Sequence, residues 1–401
     1  MIKYFYEFKK AFFHSSTLLF IVIFLFLNAF MCQSIIERQT SEYTKKFIEA
    51  HKNIYQNVEG KITKGKVDFV ISEKNRLNDI VLSGEYNTNF DFKNTYTGYI
   101  FSDNNLIDAL YDDIYYSYNY SNYSKRIKEA AKINSDKYLK KGNTSLSREY
   151  IFMSKCFDKR EIFSFYSTMG WDKYFTYSFS NLLIILIIIV GCSSIFSKEK
   201  ECGMSIILHT TFYGKKEIAF YKILASISFS FLIVIIFSIE DFIIFDYNYS
   251  LTGFFNPIYS IREFKTTGLN INIIQYVILN FLTKYLGTLI ICNLVIITSS
   301  LSKSDTFSLL CNFFIFFIHI FVYLKSEDHS ILSLMNIYPY TISFNTFSFA
   351  GIVTHKIYWM ILLNSIILIF LELICFWINV KPQKNKLNGD IYETDNQMGN
   401  I

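Results

Sequence analysis

Leu182-Leu-Ile-Ile-Leu-Ile-Ile-Ile-Val190 sets nine apolar residues in a row with nothing polar among them. Comparable runs recur from Leu18 to Ile36, Ile223 to Phe245, Phe307 to Leu324 and Ile357 to Val380, and an interrupted one spans Ile271 to Leu301. A helix rising about 1.5 Å per residue needs roughly 20 residues to cross about 30 Å of hydrocarbon. Several of these runs reach that length. Inside lipid no water is available to backbone N–H and C=O groups, so each run must bond to itself as a helix. The three prolines (Pro257, Pro339, Pro382) fall outside the best-defined runs, which suits unbroken helices. With 51% hydrophobic and 19% aromatic residues over 401 positions, the fold class is an all-α polytopic membrane protein.

The same composition excludes several functions. The formal charge of +5 is scattered and compensated, so no nucleic-acid partner is implied. Seven cysteines show no zinc or redox spacing, and the six histidines are isolated. There is no Walker A loop, Gly-x-Gly-x-x-Gly, His-Glu-x-x-His or Gly-x-Ser-x-Gly. No metal site or catalytic residue is expected. Work against a gradient would need a partner's energy or an ion gradient.

In chain order, residues 1–16 place Tyr4, Phe5, Phe8 and Phe12 on one helical face and Lys3, Glu7 and Lys10 on another, which predicts an interfacial helix. Residues 17–36 form a first span. A signal peptide is the competing reading, but Asn28 to Ser34 has no small-x-small cleavage site. Residues 37–177 are polar and long enough for a mostly helical domain. Helical faces are expected at Phe47 to Val58, at Ile127 to Tyr138 (stopped by Gly142-Asn143), and after Ser147 through Cys156, Phe163 and Tyr166. Val67, Phe69 and Ile71, then Phe90 and Phe92, alternate as short strands would. Tyr111 to Tyr120 reads either as a binding face or as amphipathic packing. Spans are then expected at 178–196, 223–245, 276–301, 307–324 and 357–380, the fourth interrupted at Lys284. The joining pieces are a loop at 197–222, a connector at 246–275, a Ser-rich turn at 302–306 and a re-entrant or interfacial segment at 325–356. A polar, disordered tail is expected at 381–401. Lys3, Lys9, Lys10, Lys198, Lys200, Lys215, Lys216, Lys303, Lys381, Lys384 and Lys386 fall on one side of a six-span arrangement. That puts both termini in the cytoplasm and residues 37–177 outside.

The loop after the second span carries the most specific pattern. Glu201 and Gly203 are followed by Thr210 and Thr211, Gly214 with Lys215, Glu217 with Ile218, and Lys222. This order resembles the corresponding loop of ABC-2-type transporter permeases, although Phe212 stands where that family often has proline. The resemblance implies an exporter subunit in a cell membrane, driven by a separate ABC ATP-binding subunit that holds ATP and Mg. It also implies a second permease copy or paralogue. Glu199, Glu201, Lys198 and Lys200 read as a solvated face for ion pairing with a partner, and Ile206, Ile207 and Leu208 as an apolar patch for its groove. The coupling set is therefore Glu199, Glu201, Gly203, Gly214, Lys215, Glu217 and Lys222. The bland alternative is an ordinary positive-inside loop.

Polar residues within spans form a second group. Lys284, Asn293, Asn312 and Glu372 are candidates for a polar path, alongside Asn28, Glu240, Asp241, His319 and Asn364. Glu240 and Asp241 read as interfacial, and Lys284 as a residue that snorkels outward. The bias toward Phe, Tyr, Ile, Lys and Asn is that of chains from AT-rich Gram-positive genomes. Two other classes stay open: a membrane sensor or scaffold with a ligand-binding outer domain, and an ion-coupled carrier using Glu372 and Lys284.

Overall fold

The structure is a computed structural model that describes residues 2–13, 15–38, 42–83, 96–97, 100–204, 214–325, 345–349 and 351–380. It is mostly helical. Five helical stretches are long and apolar enough to cross a membrane: Thr17–Ile36, Met169–Glu201, Lys216–Tyr249, Ile273–Leu301 and Lys356–Val380. The first and last coincide with the expected spans to within a residue. The run at 307–324 lies on helix α12 (Asp305–Lys325), which is not among those five.

Helix α1 (Ile2–Phe12) leads into α2 (Ser15–Arg38), which carries the first span. Phe8 and Phe12 of α1 are buried, and Phe12 stacks on Phe229 with ring centroids 4.0 Å apart. Phe5 shares that side of the helix but stays 67% exposed, so burial covers only part of the expected aromatic face. The second stretch comprises α7 (Met169–Thr176), α8 (Phe179–Cys192) and α9 (Ser194–Glu201). Helices α10 (Gly214–Tyr249), α11 (Ile273–Leu301), α12 and α13 (Lys356–Val380) complete the bundle. Helix α11 is continuous through Lys284, because that side chain finds an internal partner and the backbone ladder needs no break. Burial separates centre from periphery: 67% of the apolar stretch in Met169–Glu201 is buried, against 17% for Thr17–Ile36 and 11% for Lys356–Val380. Gly191 permits the closest approach at this centre, since a Cβ there would sit 2.8 Å from the Phe229 ring.

The polar domain packs as α3 (Glu42–Val58), α4 (Lys64–Ser83), α5 (Ile100–Lys140) and α6 (Thr144–Cys156). Val67, Phe69 and Ile71 lie in helix α4 and not in a strand. Val67, Val70 and Leu77 are its buried residues, whereas Phe69 is exposed, so burial follows the helical period and the alternation was accidental. The tyrosine-rich stretch and the basic amphipathic stretch merge into α5, whose 41 residues extend about 60 Å. It stops where expected: Gly142 takes φ of +75° and the Asn143 side chain accepts from Leu146 N, capping α6. Phe163 and Tyr166 fall beyond α6, beside β2 (Ser164–Phe165), which pairs antiparallel with β1 (Gly60–Lys61). Phe90 and Phe92 lie outside the described residues, as does the tail from 381.

At the domain's edge, β3 (Thr346–Phe349) and β4 (Ile352–His355) form an antiparallel hairpin in part of the segment read as re-entrant; residues 326–344 lie outside the described set. The hairpin rests on α6 through His355, whose ring meets Phe152 at 5.0 Å and whose Nε2 is 3.7 Å from Cys156 Sγ. Burial, with the Arg160 charge adding to it, pulls the His355 pKa down from 6.5 to about 4. Between those values the unfolded chain binds the extra proton, so stability is fully present above pH 6.5 and declines as pH falls toward 4. Amides of 346–355 are therefore expected to lose exchange protection relative to α6 over that window. His355→Phe is expected to flatten the response, and an unchanged pH dependence in that variant would refute the assignment.

Candidate functional site: a charged helical turn and an intramembrane polar cluster

Helix α9 is the charged end of the second membrane stretch. Ser193 ends α8 and leaves the first N–H groups of α9 without intrahelical acceptors. The Ser299 hydroxyl of α11 accepts from Phe196 N and Ser197 N at 3.1 and 3.2 Å. Ser197 in turn donates to Asp305 of α12. The next four residues, Lys198-Glu-Lys-Glu201, then diverge. Only Lys198 and Glu201 are exposed.

Glu199 is buried at 9% exposure and lies between two lysines. Its Oε2 is 2.6 Å from Lys222 Nζ on α10, and its Oε1 is 2.8 Å from Lys10 Nζ on α1. Lys222 is 2% exposed, also donates to Ile195 O at 2.7 Å, and sits 4.7 Å over the Phe196 ring. The reading of Glu199 as part of a solvated face is thus overturned, because the carboxylate is enclosed where α1, α9 and α10 meet. Lys200 donates to Ser300 O at the C-terminal end of α11, where a cation suits the helix dipole. The Glu201 carboxylate accepts from Asp305 N at 3.0 Å, an anion at the N-terminus of α12. Lys3 reaches Glu217 at 2.5 Å, tying α1 to the first turn of α10. One charged turn therefore connects α1, α10, α11 and α12.

Gly203 takes φ of +71°, a conformation that favours glycine, and turns the chain out of α9. Thr210, Thr211 and the apolar patch Ile206, Ile207 and Leu208 lie outside the described residues. Gly214 and Lys215 begin α10.

The second cluster lies toward the other end of the bundle. Asn28 of α2 donates through Nδ2 to Glu240 Oε2 and Asp241 Oδ1, both at 2.8 Å. Its Oδ1 accepts from the Tyr177 hydroxyl at 2.8 Å. Lys284 Nζ of α11 is 3.8 Å from Asp241 Oδ2, an ion pair longer than a hydrogen bond. Asn28 and Asp241 are 0% and 3% exposed. Asp241 lies eight residues before Tyr249, the end of α10, or about 12 Å into the helix. It is enclosed by neighbouring helices, and Lys284 pairs with it inside the bundle. Four polar side chains from α2, α10 and α11 plus Tyr177 thus meet: Asn28 bridges the two carboxylates, and Asp241 alone pairs with the ammonium. A cavity of about 240 Å³ between α2, α8 and α10 has Tyr177 in its wall.

The expected path through Lys284, Asn293, Asn312 and Glu372 is not assembled among the described residues. Asn293 bonds its own helix at Leu289 O, and Asn312 accepts from Thr298. Glu372, on α13, is half-buried with no ion pair among the described residues. Sequence reasoning missed Tyr177 and the pairing of Lys3 and Lys10 with the loop acids. The one available signal was that α1 carries its lysines on a face away from Phe8 and Phe12.

Comparison with protein-family models, curated proteins and solved structures finds no match for the chain.

Proposed function

We propose that this chain is the membrane-spanning subunit of an ABC-2-type exporter. It would cross a bacterial cell membrane six times with both termini in the cytoplasm. Two copies, or one copy and a paralogue, would pair with ATP-binding subunits that hold ATP and Mg. The cargo would be a lipid, a peptide or another amphipathic compound. The observation that supports the reading is the linkage at α9: its buried ion pairs and helix-end contacts reach α1, α10, α11 and α12. A push by a partner on the adjoining turn would therefore move several helices together, while Lys198, Glu201 and Gly203 remain exposed to receive it.

Co-purification tests this. A Walker-motif ATPase is expected to come down with the tagged chain. The combined Lys198→Glu and Glu201→Lys variant is expected to reduce that capture at least fivefold while keeping its gel-filtration profile. Absence of any ATPase, or capture indifferent to both changes, would sink the proposal.

The cluster at Asn28, Glu240, Asp241 and Lys284 favours a second reading, an ion-coupled carrier. Transport that survives ATP depletion but collapses with the proton gradient would select it.

A further inference from the structure

A groove of about 520 Å³ runs between α1 and the flanks of α10 and α11, walled by Tyr4, Phe5, Phe8, Ile227, Phe231 and Tyr285. It opens sideways. Phe231, Leu232, Ile236, Ile239 and Ile243 continue from it along α10 as exposed apolar residues, a surface that hydrocarbon must cover in a protein of this class. Its α1 wall belongs to an amphipathic helix of the kind that lies at a membrane interface. The charges of that helix are not equivalent. Lys3 pairs with Glu217 and Lys10 with Glu199. Lys9 is exposed and makes no ion pair among the described residues. It stands four positions after Phe5, so it shares that side of the helix, one turn from the groove wall.

We infer that the groove holds one acyl chain of a bilayer phospholipid with an anionic headgroup, whose phosphate meets Lys9. Three observations select this occupant: the apolar walls, the continuity with the exposed apolar surface of α10, and Lys9, an exposed lysine on the same amphipathic helix with no ion pair among the described residues. A polybasic or lone basic site beside a buried chain attracts anionic lipid by simple electrostatics. The inference does not rest on the exporter reading and stands whether or not an ATPase binds.

The test reconstitutes the full chain in nanodiscs of equal phosphatidylglycerol and phosphatidylcholine and transfers it to mild detergent for native mass spectrometry. The wild type is expected to retain about one phospholipid per chain, enriched at least fivefold in phosphatidylglycerol. Ser228→Trp, which puts bulk into the groove, is expected to lose that lipid while keeping its thermal midpoint. Lys9→Glu is expected to keep a lipid but lose the headgroup preference. Equal retention by wild type and Ser228→Trp overturns the inference, as does a missing headgroup preference in the wild type. Leu232→Trp gives a separate readout that does not depend on the filled variant: brominated phosphatidylglycerol is expected to quench the added fluorescence more than brominated phosphatidylcholine does. Equal quenching counts against the site. A Ser228→Cys variant that cross-links copy to copy would show that a second chain fills the groove, and would overturn it too.

Discussion

Arg160→Ala is expected to cost about 3–5 kcal/mol of stability, because it leaves several buried acceptors unpaired at about 1–3 kcal/mol each. Arg160 is 3% exposed, yet no carboxylate faces it in the bonds described. Its Nε donates to Asn270 Oδ1 at 2.7 Å, Nη1 to Thr267 O at 2.6 Å, and Nη2 to Gly268 O and Leu269 O at 2.6 and 3.2 Å. The guanidinium also lies over the rings of Phe157 and Tyr259, at 4.4 and 4.8 Å. Carbonyl dipoles and π faces thus replace a counter-ion. This side chain joins the end of the polar domain to the connector between α10 and α11, where two 3-10 turns (Ile258–Ser260 and Arg262–Phe264) shape the loop. Truncation would strand three backbone carbonyls out of water, each costing about 1–3 kcal/mol if left unpaired. Arg160→Lys is expected to recover less than half, because an ammonium lacks the planar fork. Thermal unfolding of the detergent-purified protein measures both. A loss below about 1 kcal/mol, the worth of one ordinary hydrogen bond, would contradict the assignment.

Glu199→Gln is expected to destabilise more than Lys222→Met, although the two residues form one ion pair. Losing the carboxylate strands an ammonium that is 2% exposed, with Ile195 O as its remaining acceptor. That situation costs about 3–5 kcal/mol. Losing the ammonium leaves Glu199 still bonded to Lys10, which is 39% exposed and can follow it. The expected cost is then about 1–3 kcal/mol, as for a single charged hydrogen bond. The double variant removes both buried charges and is expected to recover most of the loss, since burial of an ion pair seldom stabilises more than an apolar replacement does. A double-mutant cycle on unfolding midpoints reads the coupling between the two sites. If the ordering reverses, or the double variant is the least stable, the triad of Lys10, Glu199 and Lys222 does not act as drawn.

These two sites differ in how far they could be seen in advance. Lys222 stands out in the sequence as the last position of the loop pattern, and Glu199 for its charge. Their enclosure against Lys10 was not visible, since 189 positions separate Lys10 from Glu199. Arg160 has no mark in the sequence, because its partners are mostly backbone carbonyls, which carry no side-chain signature. In α4, Val67, Phe69 and Ile71 imitated a strand, because three residues in alternation fit a period of two by chance. Only the wider spacing of Val67, Val70 and Leu77 reveals the helix.

The amino-acid sequence by itself determined the helical, membrane-like class of this protein and the extent of two of its apolar helices. Thr17–Ile36 and Lys356–Val380 could be read directly because a helix in hydrocarbon satisfies its own backbone bonds, so its extent depends on local composition. Tertiary structure decided which charges are solvated and which are enclosed. Asp241 and Lys284 became partners, and Lys198-Glu-Lys-Glu201 became a junction of four helices instead of a free polar face. The reason is that the environment of an ion is set by whatever packs beside it, and those neighbours come from segments far away in the chain.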